Sequence, residues 1–257
     1  MELSIIIVNW NVEKLLERCL ESIYKYQGNL ELEVIVVDNA SKDRSLEMIK
    51  NNFPQVKLIV NQANRGFAAA NNQGIEIASG RYLLLLNPDT EIKENSLHQS
   101  LEFFRTQEKV GVMGCKILNP DGSLQPSVRR FPTITAVILI LSKIAKLLPN
   151  LPALKKYLAK DFDYRESQAV DQVMGAFFLI KRELIEQIGV LDERFFIWFE
   201  EVDFCYRAKK AGWQIWYYPD AEIIHYGGSS FKQALVVRKQ WLFFQSALKY
   251  FVKHVFR

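Results

Sequence analysis

The stretch "YLLLLNPDTEI", Tyr82 to Ile92, runs through four leucines into Asn-Pro-Asp and places Glu91 two residues beyond Asp89. In an extended chain, side chains two apart point to the same side. Two carboxylates so placed are hard oxygen donors, the kind that magnesium and manganese take alongside water and phosphate oxygens. The same tripeptide recurs in "LNPDGSLQ", Asn119 to Asp121, where glycine follows at once. Proline second and glycine fourth is the composition of a type I turn. The first copy is the metal candidate, and the second reads as a hairpin turn.

Asp89 can act only if a scaffold holds it. Leu3 to Val8 is a continuous apolar run of strand length, followed by an amphipathic stretch with Leu15, Leu16, Cys19, Leu20 and Ile23 at helical spacing. "LEVIVVDNAS", a charged helix over Asp43 to Asn52, a strand over Lys57 to Val60, a helix over Phe67 to Ala78 and a strand over Tyr82 to Leu86 continue the alternation. Strand-helix alternation with continuous apolar strands predicts an α/β fold, a mostly parallel, Rossmann-like central sheet flanked by helices. Ligands in such sheets sit beyond the carboxyl ends of the strands. Those ends hold Asn9 to Asn11, Asp38 to Ser41, Asn61 to Gly66 and Asn87 to Glu91, all rich in Asn and Asp. Turns use the same residues, so it is their convergence on one edge that points to a site.

The second half is less regular. Val110 to Leu118 and Val170 to Ile180 read as strands, Arg182 to Ile188 and Glu200 to Ala211 as helices, and "WQIWYYPDAEIIHY" as aromatic-rich strands. A basic, apolar helical insertion spans about 132–165, and a basic amphipathic helix spans 231–257 behind a main domain of 1–230. The 257 residues suit one sizeable core, and a net charge of +4 is too small to imply nucleic acid. Three scattered cysteines suggest neither zinc nor a disulfide framework and favour a reducing, intracellular setting. The N-terminus "MELSIIIVNW" reads as a core strand, not a signal peptide, and no run reaches the roughly 20 apolar residues that span a bilayer.

"SIIIVNWN", "VIVVDNASKD", "NQANRGFAAANNQGI", "LLLLNPDTEI", "VMGAFFLIKRELIEQIGVLDERFFIWFEEVDFCYRAKKAGW" and "IIHYGGSS" follow one another from residue 3 to about 230. As an ordered set they resemble a family 2 glycosyltransferase of the GT-A fold, near the bacterial rhamnosyltransferase-like members that build cell-surface polysaccharides. The resemblance implies that "NPD" replaces the more usual Asp-x-Asp motif. Asn87 then stands where a carboxylate is lost, and Asp89 is the principal ligand of a Mg2+ or Mn2+ ion. Glu91 is a second contact, and His225 is implied as a third ligand, its following glycines allowing close backbone approach. A lone histidine at a strand end is otherwise a structural residue.

The resemblance also implies a nucleoside diphosphate sugar donor, dTDP or UDP linked, held by Asn9, Asn11, Asp38, Asn64, Arg65, Gly66, Asn71, Asn87 and Asp89. Asp38 can accept a hydrogen bond from a pyrimidine imide, or cap the next helix, with Ser41 competing. Arg65 can approach phosphate at a helix start, where amide groups favour anions; Asn71 and Asn72 can equally lie on the helix surface. No GxGxxG or P-loop pattern is present. Inverting transfer to a hydroxyl needs a carboxylate base. Glu201 occupies the position where the family usually has aspartate, with Glu200 the alternative; acids are favoured in a first helical turn regardless. Asp203 and Arg207, four apart, can be a plain ion pair. Trp198, Phe195 and Phe196 can stack on sugar or fill the core, and Gly175 and Ala176 leave room for donor sugar or acceptor.

After Glu222 the chain has no acid, while Lys232, Arg238, Lys239, Lys249, Lys253 and Arg257 alternate with aromatics. Lys143, Lys146, Lys155 and Lys156 give the insertion the same character. Such helices lie on anionic membrane surfaces, pack on their own domain, or form a homodimer contact. The expectation is an inverting, metal-dependent glycosyltransferase, cytoplasmic and peripheral on the inner face of the cell membrane. It would move a sugar, with rhamnose a candidate, to a polyprenyl-linked glycan. A sugar-nucleotide nucleotidyltransferase would place a Gly-rich basic loop where "NWNVEKLL" stands; a non-catalytic carbohydrate-binding or membrane scaffold is the other alternative.

Overall fold

The computed structural model describes residues 1–227 and 236–256. Lys232, Arg257 and the start of the C-terminal helix expected from Phe231 lie outside the described residues. The first half alternates as the apolar runs dictate: β1 (Leu3–Asn9), α1 (Glu13–Tyr26), β2 (Leu32–Asp38), α2 (Ser45–Asn52), β3 (Lys57–Val60), α3 (Phe67–Ile77) and β4 (Tyr82–Leu86). Two short elements follow that periodicity alone does not announce, β5 (Thr90–Ile92) and α4 (Ser96–Thr106), and then β6 (Val110–Leu118). β7 (Val128–Arg129) stands just before the insertion, which consists of α5 (Ile134–Leu141), α6 (Ile144–Leu147) and α7 (Pro152–Tyr157). The chain returns through β8 (Gln168–Val170), β9 (Gln172–Val173), β10 (Phe177–Lys181), α8 (Arg182–Ile188), α9 (Glu200–Lys210), β11 (Gln214–His225) and α10 (Val236–His254).

The main sheet runs β3-β2-β1-β4-β10-β6-β11-β5, with β8 also paired to β11. Its first four strands are parallel, and β10 is antiparallel to both β4 and β6. The sheet is therefore mixed, parallel where helices alternate and reversing where the regular pattern ends. The single apolar run over Val170 to Ile180 divides because Gly175 lies between two separately paired pieces, β9 with β7 and β10 in the main sheet.

Alternate strand residues feed opposite faces. Leu3, Ile5 and Ile7 pack with Leu16, Leu20 and Ile23 of α1 and Phe104 of α4. Ile6 and Val8 pack with Ala68 and Ala70 of α3, Leu184 of α8 and Phe204 of α9. Burying both faces is what allows central strands to lack polar alternation. All three cysteines are buried and free.

A third apolar cluster joins Val137 of α5, Phe195, Phe199 and Val202 around the start of α9, and Ala247, Tyr250 and Phe251 of α10. The expected Asp203–Arg207 pair lies inside the protein: Asp203 is 0% exposed and accepts from Arg207 Nε at 2.8 Å, Lys253 Nζ at 2.6 Å and His254 Nε2 at 2.7 Å. A buried carboxylate needs this many donors to offset desolvation. The C-terminal helix is thereby fastened to the helix that carries Glu200 and Glu201.

Candidate active site

β4 delivers Asn87, Pro88 and Asp89 to its carboxyl end, where the Asn87 amide donates to Ala176 O (3.1 Å) and Thr90 Oγ1 donates to Asn87 O (2.8 Å). β11 returns antiparallel to β5 with His225 opposite Thr90, and the Tyr226 amide donates to Asp89 O at 2.9 Å. Backbone pairing thus brings together Asp89 and His225, residues far apart in sequence. His225 Nε2 lies 3.3 Å from Asp89 Oδ1 and 3.5 Å from Asn87 Nδ2. Both Asp89 (5% exposed) and His225 (7%) are buried at the wall of a cavity of about 420 Å³.

Glu91 does not join them. The Tyr226 hydroxyl donates to its Oε1 at 2.8 Å, and Glu91 is absent from the cavity wall. The i,i+2 argument assumed an extended chain from Asp89 onward, but Asp89 precedes β5 and sits in the turn between strands. Among the described residues no three His, Cys, Asp or Glu side chains converge as a complete cage. Asp89 and His225 form a two-donor site, which suits a cation completing its sphere with substrate phosphate and water.

Glu200 and Glu201 at the start of α9 line the same cavity. Trp198 and Phe199 before them adopt left-handed backbone with φ of 61° and 71°, a conformation bulky residues hold only when their surroundings enforce it. Here α10 grips that loop: Ser246 Oγ donates to Ile197 O and Lys249 Nζ to Arg194 O. Burial pushes the Glu200 carboxyl well above the ordinary range, and the neighbouring Glu201 charge adds to the rise. Burial also raises Glu201, opposed by backbone amides at the helix start and by a hydrogen bond from Glu200. Both carboxyls therefore keep their protons to higher pH than an exposed glutamate does.

The nucleotide candidates divide. Asn64, Gly66, Asn87, Asp89, Gly175, Ala176 and Trp198 line the cavity. Gly66 is required by geometry: its φ is +88°, and a Cβ there would lie 2.6 Å from Phe196 O. That carbonyl accepts from the Phe67 amide at 2.7 Å, so one helix-start donor expected to meet an anion is already engaged. Gly175 faces open space. Asn9, Asn11, Asp38, Arg65 and Asn71 are not on the wall. Asp38 accepts from Asn9 Nδ2 and the Ser41 amide, both at 2.9 Å, so it tightens its own loop and does not cap α2. Asn11 Oδ1 accepts from the Lys42 amide, and Asn71 Nδ2 donates to Phe67 O. Their neighbours Trp10 and Asn39 face the cavity instead. Phe195 is core, whereas Phe196 and Trp198 line the wall.

Sequence reasoning missed the contribution of the insertion and of the segment just before it. Ser127, Arg129 and Tyr157 reach the cavity, and Arg129 is its Lys or Arg among the described lining residues. Burial pushes the Tyr157 hydroxyl up to about 12, with Arg129 pulling it down and Glu201 pushing it up. Ser127 Oγ, Glu200 Oε2 and Glu201 Oε2 are buried without a protein partner. The basic "VRR" run before the insertion was the available signal.

The sequence profile described as Glycosyl transferase family 2 matches residues 4–189. The chain belongs to that family. The transferase is 28% identical over 239 residues to the N-acetylglucosaminyl-diphospho-decaprenol L-rhamnosyltransferase of Mycobacterium tuberculosis, covering 89% of this chain and 77% of that one. It is 29% identical over 213 residues to a low-salt glycan biosynthesis hexosyltransferase of Haloferax volcanii, covering 81% and 62%. Among solved structures it superposes on a mannosyltransferase of Pyrobaculum calidifontis in complex with GDP-Man and Mn2+, with a TM-score of 0.65, 20% identity, and coverage of 96% and 63%. S. aureus TarS in complex with UDP-GlcNAc gives a TM-score of 0.57 at 19% identity, covering 92% and 62%. The fold of the transferase is the GT-A arrangement.

Proposed function

We propose that this cavity transfers a sugar, with inversion and with a divalent cation, from a dTDP- or UDP-linked donor to a hydroxyl of a polyprenyl-diphosphate-linked glycan. The observation that carries the reading is the 3.3 Å approach of His225 to Asp89 at the wall of the cavity that Glu200 and Glu201 also line. Asp89 Oδ1 and His225 Nε2 would hold Mg2+ or Mn2+, which when bound neutralises charge on the departing diphosphate. Arg129 adds fixed positive charge to the cavity lining. Glu201 takes the proton of the acceptor hydroxyl as its oxygen bonds to the anomeric carbon. The bond from that carbon to the diphosphate oxygen breaks, and the nucleoside diphosphate leaves with the electron pair. Gly175 keeps space for the sugar, and Phe196 and Trp198 offer apolar faces for a ring to stack on.

The lipid-linked acceptor is supported by the mycobacterial relative's acceptor and by the protein's outer surface. α10 turns Phe243, Ala247 and Tyr250 inward and exposes Trp241, Phe244, Leu248 and Val252, with Val255 exposed just past its end. Beside it the insertion exposes Ile138, Leu147 (82%) and Leu148 among exposed Lys143, Lys146, Lys155 and Lys156. Lys249 and Lys253 instead anchor α10 to the protein. Among the described residues no helix is long and apolar enough to cross a membrane. An apolar stripe flanked by lysines matches the headgroup layer of an anionic bilayer.

The decisive test supplies dTDP-rhamnose and other dTDP and UDP sugars with a short-chain prenyl-diphospho-GlcNAc acceptor. Nucleoside diphosphate release and product anomeric configuration are measured with Mn2+ and with EDTA. We expect acceptor-dependent, EDTA-sensitive release and an inverted product. Retained configuration, or turnover indifferent to EDTA, would overturn the mechanism. Cosedimentation with phosphatidylglycerol but not phosphatidylcholine vesicles, lost in a Leu147→Ser/Trp241→Ser variant, checks the membrane surface; concentration-dependent dimerisation through the same residues would replace it.

A further inference from the structure

The second Asn-Pro-Asp copy ends in a residue that the proposed mechanism has not used. Asn119 to Gln125 form a self-pinned turn: the Gly122 amide donates to Asn119 O (2.9 Å), the Asn119 amide to Ser123 O (2.8 Å) and the Gln125 amide to Ile117 O (2.8 Å). The Gln125 side chain reaches past this turn to the imidazole. Its Oε1 is 2.6 Å from His225 Nδ1, while its Nε2 is 2.8 Å from Asn119 Oδ1 and 3.5 Å from His225 O. Asn119 Nδ2 in turn donates to Ser123 Oγ at 2.9 Å.

This network settles which atom does what. The Gln125 nitrogen faces two acceptors, so its carbonyl oxygen must face the ring. A carbonyl cannot donate, so the proton between them belongs to His225 Nδ1. In the neutral ring Nε2 then carries the lone pair, and Nε2 is the atom that faces Asp89. A ring free to adopt the other tautomer would point an N–H at the place where a cation must bind.

We propose that Gln125 is a positioning residue that holds His225 in its Nδ1–H tautomer and at a fixed ring angle, presenting the Nε2 lone pair beside Asp89. The proposal rests on Asp89 and His225 being cation donors. Hydrogen-bond partners of a ligating imidazole act in this way elsewhere, and their loss weakens metal binding about 10- to 100-fold.

Two measurements test it. Long-range proton–nitrogen NMR on 15N-histidine-labelled, metal-free protein, with His225→Asn assigning the signals, reads the tautomer directly. The wild type is expected to carry its proton on Nδ1 with Nε2 bare; a ring protonated on Nε2 alone overturns the proposal without any variant. Manganese affinity is then measured by paramagnetic resonance with UDP or dTDP present and no acceptor. Gln125→Leu is expected to weaken binding about 10- to 100-fold. Gln125→Glu, which still accepts from Nδ1–H while Asn119 turns its amide to donate, is expected to restore most of it. Unchanged affinity in folded Gln125→Leu, or equal loss in both variants, overturns the proposal. A wild-type protein with the Nδ1–H tautomer and no manganese binding would instead remove the cation reading while leaving the hold on the ring intact.

Discussion

The two Asn-Pro-Asp copies share three residues and occupy opposite physical settings. Asn87 to Asp89 leave β4, a strand buried along its whole length, and bring Asp89 to the cavity wall at 5% exposure. Asn119 to Asp121 leave β6 into an exposed turn, where Asp121 accepts from the Ser123 amide and hydroxyl and touches nothing of the cavity. Yet both copies arrive at one imidazole, the first through Asp89 and the second through Gln125. The tripeptide only makes a tight exit from a strand. What surrounds that exit decides whether the carboxylate serves chemistry or a turn.

The strongest way to break the comparison is to exchange a single atom type in the buried copy. Asp89→Asn keeps the shape and removes the charge that a divalent cation requires. Metal-assisted charge stabilisation contributes several kcal/mol, so turnover is expected to fall about 1000-fold or more. The fall should appear in single-turnover product formation with donor and acceptor saturating, and manganese affinity should be lost with it. An Asp89→Asn enzyme of ordinary activity would make the two copies equivalent and end the assignment.

How far this contrast was readable beforehand follows from what each residue depends on. The four parallel strands declared themselves because each is a continuous apolar run, and only burial on both faces selects that pattern. The turn at Asn119 declared itself through Gly122, which sits at a φ of +82°. Asp89 was legible because it follows such a strand on the ligand edge. Glu91 was misplaced because i,i+2 alternation holds only within a strand, and the chain turns between Asp89 and β5. Asp38, the last residue of β2, is held by Asn9 and Ser41, while the next residue, Asn39, lines the cavity just beyond the strand's end. Gln125 and Tyr157 could not be read at all, and Arg129 only as part of the basic "VRR" run, since their places depend on how the insertion and the segment before it fold back, which no local pattern encodes.

The buried carboxylate pair of the same cavity sharpens that contrast with a smaller effect. Glu201→Gln removes the proton acceptor and leaves the cation donors untouched, so turnover should fall about 100- to 1000-fold while manganese affinity stays at the wild-type value. Glu200→Gln should lose less, because Glu201 remains to accept the proton. The pH behaviour follows from the raised carboxyls. Activity needs Glu201 ionised, so kcat/KM should rise with pH through a limb above the ordinary carboxylate range. Stability should move the other way. The unfolded chain ionises both groups in the ordinary range, the native pair resists, and the native state therefore binds more protons as pH rises. Unfolding free energy falls across that window and is unaffected below it, where both states are protonated. Glu200→Gln should flatten that slope in denaturant titrations taken from pH 4 to 8; an unchanged slope would mean that the pair is not the source.

The smallest effect belongs to the exposed copy. Hydrogen bonds from the Ser123 hydroxyl and amide hold the Asp121 carboxyl below its ordinary range, so its contribution exists above that range and fades as pH falls through the lowered value. Solvent screens so exposed a contact. In Asp121→Ala the Ser123 hydroxyl still accepts from Asn119 Nδ2, and the Asn119–Gln125–His225 chain of hydrogen bonds survives. Turnover and manganese affinity should therefore match the wild type within error at neutral pH. A loss approaching that of Gln125→Leu would show that the turn transmits strain to His225 through its backbone, and the division between a chemical copy and a structural one would have to move from the tripeptide to the hairpin as a whole.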